Sequence, residues 1–194
     1  MSTVGALVLA YLVGSISIAR LATRASDIDI TTVGSGNPGA TNVARTLGKK
    51  AGAAVLVGDL LKGVIGSVIG LWLIPDGGIE AGFLGGAAAV VGHCLPLWFR
   101  FRGGKGVATA AGTLVVNVWV LSLVLTLVWA VLIKTVKISS VASMVVVVLA
   151  VPGVWIATQS TQATLVMAGI ATLIIARHRD NIARLMAGRE DTVV

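Results

Sequence analysis

Six apolar runs, at residues 3–22, 51–74, 80–99, 107–136, 141–157 and 161–176, take up most of this chain. A helix needs about 20 mostly apolar residues to cross the ~30 Å hydrocarbon core of a bilayer, and runs of this length point to that solvent. Only 12% of the 194 residues are charged, against the ~25% usual for a soluble domain. A water-soluble core of this size would lack its polar shell. Disorder is excluded by the same arithmetic, and Cys94, the single cysteine, excludes an intrachain disulfide framework. The expected fold is an all-α, polytopic membrane helix bundle, with residues 1–194 forming one domain because no long linker divides them.

The distribution of cations predicts the topology. The fourth run, 107–136, is long enough for one strongly tilted helix or for two shorter ones turning near Asn117. If the N-terminus starts outside and this run crosses twice, fourteen of the fifteen Lys and Arg fall on the cytoplasmic side, Lys62 being the exception. The outer loops near 75–79, 117–119 and 158–162 then contain no Lys or Arg. The positive-inside bias therefore predicts seven transmembrane helices, N-terminus outside and C-terminus cytoplasmic, with 107–117 a short, tightly packed segment. No basic residue precedes the first run, which reads as a span and not as a signal peptide. Gly66–Gly70 and Gly82–Gly86 have the small-xxx-small spacing that lets membrane helices approach closely. No inverted repeat of the transporter kind is evident.

Three polar segments share one chemical theme. The first is Gly34-Ser35-Gly36-Asn37-Pro38-Gly39-Ala40-Thr41-Asn42, followed by Arg45; the second is Arg100 to Gly106, through Gly103, Gly104 and Lys105; the third is Arg177-His178-Arg179-Asp180-Asn181. Glycine lets backbone N–H groups converge, helix N-termini supply more of them, and Lys or Arg completes a receptor for phosphate. Gly34-x-Gly36-x-x-Gly39 matches the dinucleotide fingerprint as a string, with Asp59 further on, but that fingerprint requires a βαβ unit and its neighbours here are membrane spans. The 103–106 loop is not a Walker A either, since no Ser or Thr follows Lys105.

Asp59 and Lys62 share a helix face within the second run, and burying either charge alone in lipid would cost several kcal/mol, so a mutual pair or a polar cavity is expected. His93, between Gly92 and Pro96, reads as a hydrogen-bonded structural residue. No His is followed by Asp five residues on, the positions being Trp98 and Ala183, and neither a Cys/His zinc cluster nor an acidic pair of the two-metal kind is present. Chemistry here has to use an activated substrate that is positioned and charge-stabilised.

Gly34–Asn42, Lys62-Gly63 and Gly92–Thr109 closely resemble the three signature blocks of the bacterial PlsY family, the acyl-phosphate:glycerol-3-phosphate acyltransferases. The resemblance covers essentially the whole chain, including Ser140–Ser143 and Arg177–Asn181. It implies a multi-pass enzyme of the bacterial inner membrane, working at the cytoplasmic face without cofactor, metal, nucleic acid or obligate protein partner. Its substrates would be acyl phosphate and glycerol 3-phosphate. The acyl chain would pass to the sn-1 hydroxyl without a covalent acyl-enzyme, giving lysophosphatidic acid and phosphate. By the same resemblance, Ser35, Arg45, Lys105, Ser143, His178 and Asn181 are expected to contact glycerol 3-phosphate, with His178, Lys105 and Asn181 catalytic. Gly36, Asn37, Gly39, Ala40, Thr41 and Asn42, with Gly103 and Gly104, are expected to cradle the acyl phosphate headgroup. The rival reading is a small-anion transporter whose inner vestibule is the basic loops. It needs ionisable residues near the midplane, and only Asp59 and Lys62 qualify.

Overall fold

A computed structural model describes residues 2–26 and 28–192. Among these the chain forms α1 (Thr3–Gly14), α2 (Ile18–Thr23), α3 (Ala40–Leu47), α4 (Lys49–Leu73), α5 (Gly78–Cys94), α6 (Val107–Asn117), α7 (Trp119–Val136), α8 (Ser139–Thr158), α9 (Thr161–Arg177) and α10 (Arg179–Met186). Five segments are long and apolar enough to cross a membrane: Thr3–Thr23, Lys49–Leu73, Gly78–Phe99, Trp119–Val136 and Ser139–Thr158. Two shorter apolar helices, Val107–Asn117 and Thr161–Arg177, complete the bundle.

Two helix breaks shape the molecule. The expected turn near Asn117 is present: Val118 leaves helical geometry at φ −149° and ψ 63°, and α7 starts at the next residue. Asn117 secures this corner, its Nδ2 donating to the Thr113 carbonyl at 2.8 Å and to Ser67 Oγ on α4 at 3.2 Å. The second break is a departure from the sequence reading, which runs 3–22 as one helix. The chain leaves the helix at Ser15–Ser17; Ser15 Oγ donates back to the Tyr11 carbonyl, and Ser17 Oγ caps α2 by accepting from Arg20 N. The interruption exposes the Ile16 carbonyl, which accepts from Lys62 Nζ at 3.0 Å.

Small residues let α4 lie close to α1, α5 and α6. The two tightest points are on α4: a Cβ at Gly70 would lie 1.9 Å from the Ala81 carbonyl oxygen of α5, and one at Gly63 would lie 1.9 Å from the Thr109 carbonyl oxygen of α6. Backbones that approach this closely gain dispersion contact in a solvent where apolar burial alone gives no driving force between helices. On the other side, α5, α6, α7, α8 and α9 close into a ring, each touching the next and α9 returning to α5. Its interior is an apolar cluster that includes Phe83, Leu114, Val147, Ala150 and Met167. Large apolar side chains such as Val57, Leu127 and Ile156 project outward, as lipid-facing residues should. Trp72 and Trp119 stand exposed at one end, Trp98 and Phe101 at the other, in the positions of interfacial aromatic belts.

Gly70→Ala is expected to force α4 and α5 apart and to lower stability by about 1–3 kcal/mol. Gly169→Ala, where a Cβ meets nothing within 4 Å, is the matched control and should be neutral or stabilising. Thermal unfolding of the two variants in detergent compares them directly.

Candidate active site

One end of the bundle contains a cavity of about 320 Å³. Eleven of the fourteen sequence-predicted positions meet on its walls: Ser35, Asn37, Gly39, Ala40, Thr41, Asn42, Arg45, Lys105, Ser143, His178 and Asn181. Gly36, Gly103 and Gly104, expected with them, are not among the lining residues. Below this polar mouth the lining turns apolar, through Val107, Ala110, Leu114, Leu125, Val147 and Met167.

The first wall is built by Asn42. Its buried side chain accepts from Ser35 N at 3.0 Å and donates to the Ile30 and Val33 carbonyls at 3.2 and 3.0 Å. The amide is fully engaged in folding residues 30–35 back onto α3. Gly39 caps α3 without a side-chain bond, and the first intrahelical bond runs from Val43 N to the Gly39 carbonyl. The N–H groups of Ala40, Thr41 and Asn42 are thereby left for a ligand at the positive end of the helix.

The second wall presents Lys105. Gly103 N and Gly104 N donate to the carbonyls of Cys94 and His93, each at 3.2 Å. From the other side Arg177 donates to both glycine carbonyls, Nη2 to Gly103 at 2.7 Å and Nε to Gly104 at 3.2 Å. Gly104 also lies flat on the His93 ring: a Cβ there would be 2.2 Å from His93 Nε2. Burial lowers the Lys105 ammonium to about 8, with Glu190 opposing the shift.

His93 belongs to a buried ionic cluster that the sequence only half reveals. Lys62 Nζ lies 2.9 Å from Asp59 Oδ1 and 2.9 Å from His93 Nδ1, and His93 Nδ1 lies 3.4 Å from Asp59 Oδ1. With the Ile16 carbonyl as a fourth member, the cluster ties the α1–α2 break, α4, α5 and the lysine loop together. The expected mutual pair of Asp59 and Lys62 is therefore present, and His93 is hydrogen-bonded to it as well as lining the cavity.

The third wall is the junction of α9 and α10, where His178 is 2% exposed. Its Nδ1 lies 2.8 Å from the Ile174 carbonyl, which can only accept, so Nδ1 carries the proton and Nε2 is the free lone pair. Burial holds the imidazole down at about 4, reinforced by the charge of Lys105, so the ring is neutral near pH 7. Ser143 Oγ accepts from Trp129 Nε1 at 3.4 Å.

Sequence reasoning missed the acids that complete the mouth. The Glu190 carboxylate receives Asn181 Nδ2 at 2.5 Å, Ser140 Oγ at 2.7 Å and Arg184 Nε at 2.7 Å. Burial would raise its carboxyl, but these bonds outweigh burial and hold it below the usual range. Asp191 Oδ2 pairs with Arg45 Nη1 at 3.1 Å, and the Thr192 carbonyl accepts from Arg45 Nη2. The adjacency of two of the eight acids in so basic a segment was the available signal.

Lys62→Met leaves Asp59 buried beside a neutral partner and is expected to destabilise the protein by about 3–5 kcal/mol. Adding Asp59→Leu should recover most of that loss, a contrast readable by thermal unfolding in detergent.

Comparisons with known proteins place the chain in a family and a fold. The family model described as glycerol-3-phosphate acyltransferase matches residues 4–188. The glycerol-3-phosphate acyltransferase of Shewanella sediminis is 42% identical over 194 residues, spanning 98% of this chain and 94% of that protein. That of Pseudomonas aeruginosa is 44% identical over 184 residues, spanning 94% and 95%. The crystal structure of PlsY (YgiH), an integral membrane glycerol 3-phosphate acyltransferase, in its glycerol 3-phosphate form superposes with a TM-score of 0.92 at 38% identity, over 98% of this chain and 94% of that one. Its lysophosphatidic acid form gives a TM-score of 0.88 at 37% identity. The chain is an integral membrane protein and belongs to the glycerol-3-phosphate acyltransferase family.

Proposed function

We propose that this chain transfers a fatty acyl group from acyl phosphate to the sn-1 hydroxyl of glycerol 3-phosphate, giving lysophosphatidic acid and inorganic phosphate without a covalent acyl-enzyme. The observation that carries the reading is the convergence, in one cavity, of two phosphate-binding walls above an apolar shaft. The free N–H groups of α3 suit the acyl phosphate headgroup. Arg45, Ser35, Ser143, Asn181 and Lys105 suit glycerol 3-phosphate, whose phosphate would displace Asp191 from Arg45. Among the described residues no serine, threonine or cysteine is hydrogen-bonded to either histidine, which favours direct attack over an enzyme nucleophile.

In this mechanism the glycerol oxygen forms a bond to the acyl carbonyl carbon, the bond from that carbon to the phosphate oxygen breaks, and phosphate leaves with the electron pair. His178 Nε2 takes the hydroxyl proton and passes it to the leaving phosphate. Lys105 and the α3 N–H groups stabilise the negative charge that develops on the carbonyl oxygen and the leaving group. The domain is one unit, 1–194. The five long and two short apolar helices support seven crossings, and the cations clustered at the cavity end support a cytoplasmic active site in the bacterial inner membrane. Anion transport is disfavoured because Asp59 and Lys62, its two candidate midplane ions, neutralise each other.

Purified protein supplied with palmitoyl phosphate and glycerol 3-phosphate should release phosphate and lysophosphatidic acid in equal amounts; no release defeats the proposal. His178→Ala should lower kcat by about 10²–10⁴-fold. Near-normal kcat would instead make the donor's own phosphate the proton acceptor.

The pH profile supplies a separate check. His178, with its lowered value of about 4, stays neutral through pH 5–7 and sets no acid limb near the ordinary imidazole range. Lys105 loses its proton at about 8, so kcat/KM should fall above that pH. Lys105→Arg should move this alkaline limb upward, because a guanidinium stays charged.

A further inference from the structure

The cavity does not end at its polar mouth. Its lining follows α8 from Ser140 down to Ala150, about 15 Å at 1.5 Å per residue, and follows α6 from Val107 to Leu114, about 10 Å. Around this shaft α5 to α9 form their closed ring. The lower lining residues Leu114, Val147, Ala150 and Met167 are all buried from solvent. They belong to one apolar cluster with Phe83, Val154 and Ala163, yet those three do not line the cavity. Val154 lies one turn beyond Ala150 on α8, and Ala163 one turn beyond Met167 on α9, each on the same helix face. With Phe83 of α5 they plug the bottom. The shaft is blind, and its last ring is Leu114, Ala150 and Met167.

The depth identifies the occupant. A hydrocarbon core of ~30 Å is two acyl chains thick, so one ordinary membrane-lipid chain spans about 15 Å, the length of the lining along α8. The shaft opens upward onto Lys105 and His178, where the acyl carbonyl would react; Asp59, held by Lys62, lines the cavity on α4, and the lining that α6, α7, α8 and α9 contribute below the mouth carries no charge.

We propose that Ala150 and Met167 set the longest acyl chain this enzyme accepts, by forming the floor of the shaft that holds the donor's tail. This rests on the acyl-donor reading above. Ala150 contributes only a methyl group, so any larger side chain there occupies the last turn of the shaft. Met167 is long and flexible, and truncating it opens space toward Ala163. Each methylene denied its buried site loses about fourfold in binding, from ~0.8 kcal/mol per buried methylene.

The test is competition between decanoyl, myristoyl, palmitoyl and stearoyl phosphate, with lysophosphatidic acid products separated by mass. In Ala150→Phe the palmitoyl-to-decanoyl ratio of kcat/KM should fall about tenfold or more, since several terminal methylenes lose their place. In Met167→Ala the stearoyl-to-palmitoyl ratio should rise, by about fourfold for each of the two extra methylenes that the opened floor buries. Met167→Ala removes volume and so keeps the test decisive if Ala150→Phe does not fold. Ratios unchanged from wild type in folded variants would overturn the proposal, and would place the tail on the lipid-facing surface near Leu56 and Ala108. Wild-type protein that consumes none of the four donors would overturn the acyl-donor reading itself, and the floor assignment with it.

Discussion

A carboxylate and an ammonium carried on a membrane helix must find each other or water, and the meeting of Asp59, Lys62 and His93 answers that demand. The cluster also decides how four segments register. Lys62 grips the Ile16 carbonyl at the α1–α2 break, and Asp59 reaches across to α5. The far face of His93 is the surface on which Gly104 rests, one residue before the lysine of the cavity. An electrostatic requirement inside the bundle thus becomes a geometric one at its end. The glycine contact of α4 with α5 serves the same result, because the three side chains meet only if the two backbones are close.

The cavity divides its work between two kinds of surface. The mouth offers backbone N–H groups, a neutral imidazole and cations held by neighbours, all suited to phosphate and to charge that shifts between oxygens. The shaft is mainly apolar, with the Ser122 and Thr126 hydroxyls turned to backbone carbonyls, and the contribution of its apolar area grows with each methylene covered. Binding energy from a part of the substrate that does not react can then be used to hold the reacting carbonyl in place. Joining a lipid tail to a water-soluble phosphate requires both surfaces in one site at the membrane boundary.

Much of this was legible before any coordinates. Apolar run length located the helices, and the turn near Asn117 followed from the cations that flank 107–136. The glycine-and-base segments located three walls of the cavity, since each needs a residue type that lipid-facing helix does not. What escaped notice involved partners distant in sequence. The break at Ser15–Ser17 looks like ordinary apolar helix until Lys62 is seen to need a carbonyl there. His93 was legible as a hydrogen-bonded residue but not as a third member of the ion cluster, because helical spacing reveals partners on one helix and is silent across two. Glu190 was passed over for the same reason: counting cations showed where positive charge gathers, while its carboxylate meets Asn181, Ser140 and Arg184 only once the chain after α10 turns back to Ser140 at the start of α8.

Glu190 and Asp191 alter what the mouth is electrically. Without them it would be a cluster of mutually repelling cations, splayed into solvent until a phosphate drew them together. With them, Arg45, Arg184 and Asn181 already hold the orientations that an anion requires, as in a resin loaded with its counterion. On the proposed function, arrival of a phosphate at Arg45 would exchange one anion for another. A dianionic phosphate would bring more charge to Arg45 than the single carboxylate of Asp191 that it replaces, whereas a monovalent ion would not.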